Sequence, residues 1–177
     1  MSTSSKPYHH GDLRAALLDA ADALLDQGGD GAVSLREAAR MAGVSATAAY
    51  RHFADKEALL AALALRGFEA FGAAMAAAVA RGDVPPHVAR GRAYLRFALA
   101  RPGRFRLMFG PLLARAGAHP PLLAASRAAF GALQAGAGEL DAALRSWGMV
   151  HGLAHLMLDR AIPDAGEPEA LINRLIC

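Results

Sequence analysis

SLREAARMAGVSATAAYRHFADK, from Ser34 to Lys56, reads as two short helices joined by a tight turn. Ser34 and Glu37 have the S-x-x-E spacing of a capping box. The serine hydroxyl accepts from the backbone N–H of residue 37, and the glutamate reaches back to the N–H of residue 34. The first helix covers Leu35 to Ala42. Gly43 supplies a left-handed residue that ends it without a Cβ clash, and Val44 is apolar and plugs the turn. Ser45 caps a second helix carrying Ala46, Thr47, Ala48, Ala49, Tyr50, Arg51 and His52. Ala38, Ala39, Ala42 and Ala49 are small where two helices cross closely. This is a helix-turn-helix, whose second helix fits a DNA major groove.

Working outward, the rest of the chain is also helical in character. Alanine and leucine dominate, β-branched residues are few, and apolar residues recur at spacings of three and four. Helices are expected over 11–27, ending in Gly28-Gly29-Asp30-Gly31, and over 56–81 with Asp55 as N-cap. Others are expected over 87–100, 103–109, 119–134, 139–160 and 168–176, with Gly136 and Gly138 separating the 119–134 and 139–160 helices. Residues 1–8 read as a disordered arm. Phe53 is expected in the core.

Cys177 is the one cysteine of the 177 residues, which excludes an intrachain disulfide and fits a reducing cytoplasm. Met1 to Pro7 is polar, without the apolar core of a secretion signal. Arg66, Glu69, Arg81, His151 and His155 interrupt the richest apolar stretches, so no run reaches the ~20 residues of a membrane span.

Bulk charge does not argue for nucleic acid. The whole chain is +3, yet residues 1–56 hold six Lys and Arg against seven Asp and Glu. The distribution is more informative. Asp19, Asp22 and Asp26 fall at i, i+3 and i+7 and are expected to face solvent, while Leu13, Leu17, Ala20 and Leu24 face the core. Arg36, Arg51, His52 and Lys56, with Lys6 and the His9/His10 pair, gather toward the second helix of the motif and supply a local positive field.

Tyr8-His9-His10-Gly11-Asp12-Leu13-Arg14, the helix-turn-helix, Tyr50-Arg51-His52-Phe53 and Asp55-Lys56-Glu57-Ala58-Leu59 together resemble the TetR family of bacterial transcription regulators, over residues 8–67. Arg104-Phe105-Arg106-Leu107-Met108-Phe109-Gly110 and Trp147-Gly148-Met149-Val150-His151-Gly152-Leu153 resemble a TetR subgroup with a Trp…His-Gly signature in its C-terminal domain. The resemblance implies an all-α protein. A helix-turn-helix domain over 1–56 would precede an effector-binding and dimerisation bundle over 57–177, with the 56–81 helix as connector.

The motif's residues divide by chemistry. Tyr50, His52 and Lys56 suit phosphate, Lys56 at a helix N-terminus whose free N–H groups also favour an anion. Ser34 can use its hydroxyl or N–H in the same way. Base reading falls to Ser45, Ala46, Thr47 and Arg51, with help from Arg36: arginine pairs bidentately with guanine, and methyl groups meet thymine. The resemblance places the backbone-holding residues at the same positions. An alanine-rich recognition helix offers few hydrogen-bonding groups, so DNA shape carries part of the specificity.

In the C-terminal part, Tyr94, Phe97, Phe105, Met108, Phe109, Phe130, Trp147 and His151 are expected at a cavity for a small, largely apolar effector, as the resemblance implies. Arg127 joins Tyr94, Trp147 and His151 as a candidate polar group there. The 139–160 helix is apolar nearly all round and so is buried on more than one side. Gly148 and Gly152 leave a groove for close helix approach. With Leu144, Leu171 and Leu175 they define an expected homodimer seam. His151, His155 and Asp159 fall at i, i+4 and i+8, a spacing that can ligate metal; no cysteine or second histidine pair supports it, and neither metal nor cofactor is expected.

The expectation is a cytoplasmic, non-enzymatic regulator that represses transcription. It would bind a palindromic operator in double-stranded DNA as a homodimer and be released by a small molecule, without contact to membrane. The alternative is a helical-bundle small-molecule-binding protein or enzyme without specific DNA binding. An architectural DNA binder is a further rival. It predicts equal affinity for operator and random duplex.

Overall fold

The computed structural model describes residues 13–137, 139–164 and 166–177, side chains at 135–137 aside, and every element among them is helical. Lys6, Tyr8, His9, His10 and Gly138 lie outside the described residues. The chain divides into two compact units, one up to Leu63 and one from Ala64.

In the first unit, α1 (Leu13–Ala32) is interrupted where the glycines stand: Gly28 and Gly29 have non-helical backbone, with Gly29 at φ 69°. α2 (Leu35–Met41) starts at Ser34, whose Oγ accepts the Glu37 N–H at 3.1 Å. α3 (Ala46–Tyr50) starts at Ser45, whose Oγ accepts the Ala48 N–H at 3.2 Å. Between them Gly43 sits at φ 71°. Its N–H donates to the Arg40 carbonyl at 3.2 Å and that of Val44 to Ala39 at 2.9 Å, the paired bonds of a Schellman turn. α4 (Lys56–Arg81) follows, capped by Asp55 Oδ1 accepting from the Ala58 N–H at 2.8 Å. Leu17, Leu25, Val33, Ala38, Ala49, Phe53 and Leu59 are buried together in this unit's core. The Arg14 guanidinium covers the Phe53 ring at 5.1 Å.

Two expectations here are corrected. Asp22 does not face solvent with Asp19 and Asp26; it is 6% exposed. Residues advance about 100° around a helix, so Asp22 lies beside Leu18 and Leu25, both buried, at the margin of the core arc. No buried side-chain nitrogen or oxygen among the described residues lacks a hydrogen-bond partner, so the Asp22 carboxylate is satisfied there. The capping box is also half made. The Glu37 carboxylate takes the Arg40 Nε–H at 2.9 Å, one helical turn on, and that charge-assisted bond competes with the reach back to Ser34.

In the second unit the remainder of α4 is joined by α5 (Pro86–Ala100), α6 (Pro102–Met108), α8 (Pro120–Ala137), α9 (Leu140–Leu158) and α10 (Pro168–Leu175). A short α7 (Pro111–Ala114) and a 3-10 turn (Ala116–Ala118), both absent from the sequence expectation, link α6 to α8. Pro111 occupies the first position of α7, where its fixed φ suits a helix start. α8 runs through Gly136 to Ala137, because an isolated glycine costs a helix only about 1 kcal/mol. α5 packs on α9, and α9 on α8.

α10 lies against α5. Arg92 Nε donates to the Ile176 carbonyl at 3.0 Å, and Arg96 pairs with Glu169. A Cβ on Gly91 would stand 2.8 Å from Ile176 Cγ2, so glycine permits the approach. Leu171 and Ile172 are buried in this contact. Leu171, expected on the dimer seam, is therefore a core residue of its own protomer.

Among the described residues α4 has the length and hydropathy to cross a membrane by composition alone. Its Leu59, Leu63, Phe68, Phe71 and Met75 are buried core side chains, and Arg66 and Glu69 interrupt it.

Candidate nucleic-acid interface and apolar cavity

The helix-turn-helix buries one side and exposes the other. Ala49 is fully buried and fixes α3 against α2, as Ala38 and Ala39 do from the opposite helix. Ser45, Thr47, Tyr50, Arg51 and His52 are exposed, and Ala46 is half-buried. Tyr50 is 48% exposed, unusual for a large aromatic side chain with a core beside it. Arg36 is exposed on the first turn of α2, and Ser34 is half-buried at its cap. The Lys56 ammonium donates to the Asp30 carbonyl at 2.7 Å, tying the start of α4 to the last turn of α1, beyond its glycine kink. An ammonium has three donors, so two remain for a phosphate.

The second unit holds an apolar cavity of about 460 Å³. Of the residues expected at such a site, Phe109, Phe130 and Trp147 line it, as does Arg127. The rings pack edge to face: Phe130 meets Trp147 at 5.6 Å and Phe68 meets Phe109 at 5.4 Å between centroids. Tyr94 is fully buried behind this wall. Its hydroxyl accepts the Trp147 indole N–H at 3.1 Å and lies 2.8 Å from His151 Nδ1. Phe105 and Met108 are core residues, and Phe97 packs edge-on to Phe71 at 5.2 Å.

Indole nitrogen only donates, so Trp147 uses a lone pair of the Tyr94 oxygen; the Tyr94 proton is satisfied by His151 Nδ1 in the imidazole tautomer protonated on Nε2. Burial holds the His151 pKa below its ordinary value, with the neighbouring His155 as a lesser cause. Burial likewise raises the Tyr94 phenol, so it stays protonated. Of the residues with metal-compatible spacing, Asp159 is taken by Arg106 and His151 Nδ1 by Tyr94.

Phe68, Phe71, Leu113, Leu123, Ser126, Gln134 and Leu144 also line the cavity. Sequence reasoning passed over them. The aromatic pair Phe68 and Phe71, three residues apart on α4, was the available signal. Leu144, expected on the dimer seam, is 44% exposed and contributes to the cavity wall.

On α9, Met149 and Leu156 are exposed, at 54% and 46%, beside Gly148 and Gly152. A Cβ on either glycine would meet nothing within 4 Å. Leu175 on α10 is also exposed.

Residues 17–63 match the family described as bacterial regulatory proteins, tetR family, and residues 87–177 match the tetracyclin repressor-like C-terminal domain. No curated protein matches the chain significantly. Among solved structures, a protein of unknown function from Rhodococcus sp. RHA1 is 32% identical with a TM-score of 0.80, over 97% of this chain and 95% of that one. The superantigen PfiT is 19% identical with a TM-score of 0.68, over 96% of each chain. The multidrug binding protein EbrR, solved with imidazole, is 23% identical with a TM-score of 0.63, over 93% of this chain and 89% of that one. The last two show a shared fold alone, and folds host many roles. The two matched domains, which together span most of the chain, place this protein in the TetR family of DNA-binding transcriptional regulators.

Proposed function

We propose that the protein is an effector-released repressor acting as a homodimer on a palindromic operator. The observation that carries this reading is one chain holding both an exposed, side-chain-capped recognition helix and an aromatic-walled cavity. The DNA-binding part, residues 1–56, holds the backbone through Tyr50, His52, Lys56 and Ser34. It reads bases through Ser45, Ala46, Thr47 and Arg51, assisted by Arg36. Residues 57–177 bind effector and dimerise. The exposed α9 face, Met149, Leu156, Gly148 and Gly152, together with Leu144 and Leu175, forms the seam. Two copies of α3 then enter successive major grooves about 34–36 Å apart.

A small, largely apolar effector among Phe109, Phe130 and Trp147 favours a conformation in which that spacing fails, with α4 as the connecting lever. Effector and operator then weaken each other by about 1–3 kcal/mol, reciprocally. The work is done in the cytoplasm, where the DNA is. The test is binding of fluorescent duplexes at moderate salt. A palindrome from the gene's own flanking DNA should bind far tighter than random duplex, and equal binding overturns specific regulation.

A further inference from the structure

The cavity walls also bear on which effector chemistry they accept. α8 presents Arg127, Phe130, Gly131 and Gln134 to the cavity, at i, i+3, i+4 and i+7 on one helix face. Arg127 is the sole ionisable residue in the lining. It is exposed, and it makes no ion pair with any described residue. The Ser126 hydroxyl is already used, donating to the Leu123 carbonyl at 3.0 Å. That leaves Arg127 and Gln134, either side of Phe130, as the open polar groups. The remaining side chains of the lining are aliphatic or aromatic, and the one polar group among them, the Trp147 indole N–H, is already donated to Tyr94.

We infer that the cavity takes an aromatic carboxylic acid, its rings among Phe68, Phe109, Phe130 and Trp147 and its carboxylate on the Arg127 guanidinium. This rests on the effector reading above. A planar guanidinium matches a carboxylate bidentately. Aromatic walls alone also suit organic cations. Here a cation would meet an arginine and no carboxylate, so charge selects against it. Arg127 is open to water, which screens the pair, so the preference is moderate, about two- to fivefold over a neutral isostere.

The test is calorimetric titration of the full chain with three matched probes: naphthylacetate, naphthylacetamide and naphthylethylammonium. The acid should bind about two- to fivefold tighter than the amide, and the ammonium weakest. Arg127→Gln, at an exposed helix position where folding is preserved, should bring the acid to the amide's affinity and leave the amide unchanged. Arg127→Lys, which keeps the charge but not the two-pronged donor, should retain only part of the acid's advantage. Equal binding of acid and amide, a tightest-binding ammonium, or an acid preference that survives Arg127→Gln overturns the inference while leaving an effector cavity in place. Binding by none of the three overturns the effector reading with it.

Discussion

The Tyr94 hydroxyl lies 2.8 Å from His151 Nδ1, joining the middle of α5 to the middle of α9 inside an aromatic cluster. The same oxygen accepts from Trp147, so one phenol satisfies two polar groups that would otherwise be stranded among rings. Trp147 faces the cavity, and the contact ties the cavity wall to the unit's core.

Tyr94→Phe removes that oxygen and keeps the ring. The Trp147 N–H and His151 Nδ1 then lose their partner, and unfolding stability should fall by about 1–3 kcal/mol in urea titration. Trp147 is the one tryptophan of the chain, so its emission should shift in the folded variant. Unchanged emission and stability would mean the network carries no weight.

Acid should destabilise the second unit through His151. Its folded pKa lies below the ordinary 6.5, so the unfolded chain binds the proton more readily. The resulting stability is present above that value and is lost as pH falls from it through the depressed folded pKa. Thermal midpoints should drop between pH 7.5 and pH 5, and His151→Gln should flatten that part of the profile. A slope identical in both proteins would assign it elsewhere.

The caps of the helix-turn-helix should govern its stability. Ser34→Ala and Ser45→Ala each remove an observed N-cap bond, at a cost of about 1 kcal/mol. Gly43→Ala forces a Cβ into a left-handed position and should cost roughly 1–2 kcal/mol. Hydrogen exchange of α2 and α3 reports these losses directly.

Backbone and base contacts should separate by salt and sequence. Lys56→Met should weaken binding to all duplexes alike and lower the salt slope by about 1. It should also loosen the end of α1, since the Asp30 carbonyl loses its donor from α4. Arg51→Ala should cost about 1–3 kcal/mol on the operator and less on random DNA. Equal losses on both duplexes would move Arg51 to the phosphate group.

The α9 face should control assembly. Met149→Glu places a charge on an exposed apolar face, and Gly152→Arg fills an open groove. Both should give monomers in sedimentation with unchanged helicity, together with a large loss of operator affinity. A wild-type chain that sediments as a monomer removes this seam.

Local backbone events were legible in the sequence because each depends on a few neighbouring residues. Ser34, Ser45 and Asp55 cap their helices, Gly29 and Gly43 carry positive φ where a helix must stop, and α4 spans residues 56 to 81 as its pattern indicates. What went astray depends on which surface meets which. Helical spacing puts Asp22 near Asp19 and Asp26, and Leu171 near Leu175, but only packing decides that Asp22 and Leu171 are covered.

By itself the sequence determined the helical architecture, the helix-turn-helix and the side of α3 that carries polar groups, since caps, glycine conformation and apolar period are local physics. Only the tertiary structure decided that Phe68 and Phe71 from α4 meet Phe130 from α8 and Trp147 from α9 around one cavity, with Arg127 on its wall. Those residues are distant in sequence, and close packing of whole helices, rather than any local preference, sets which side chains leave space between them.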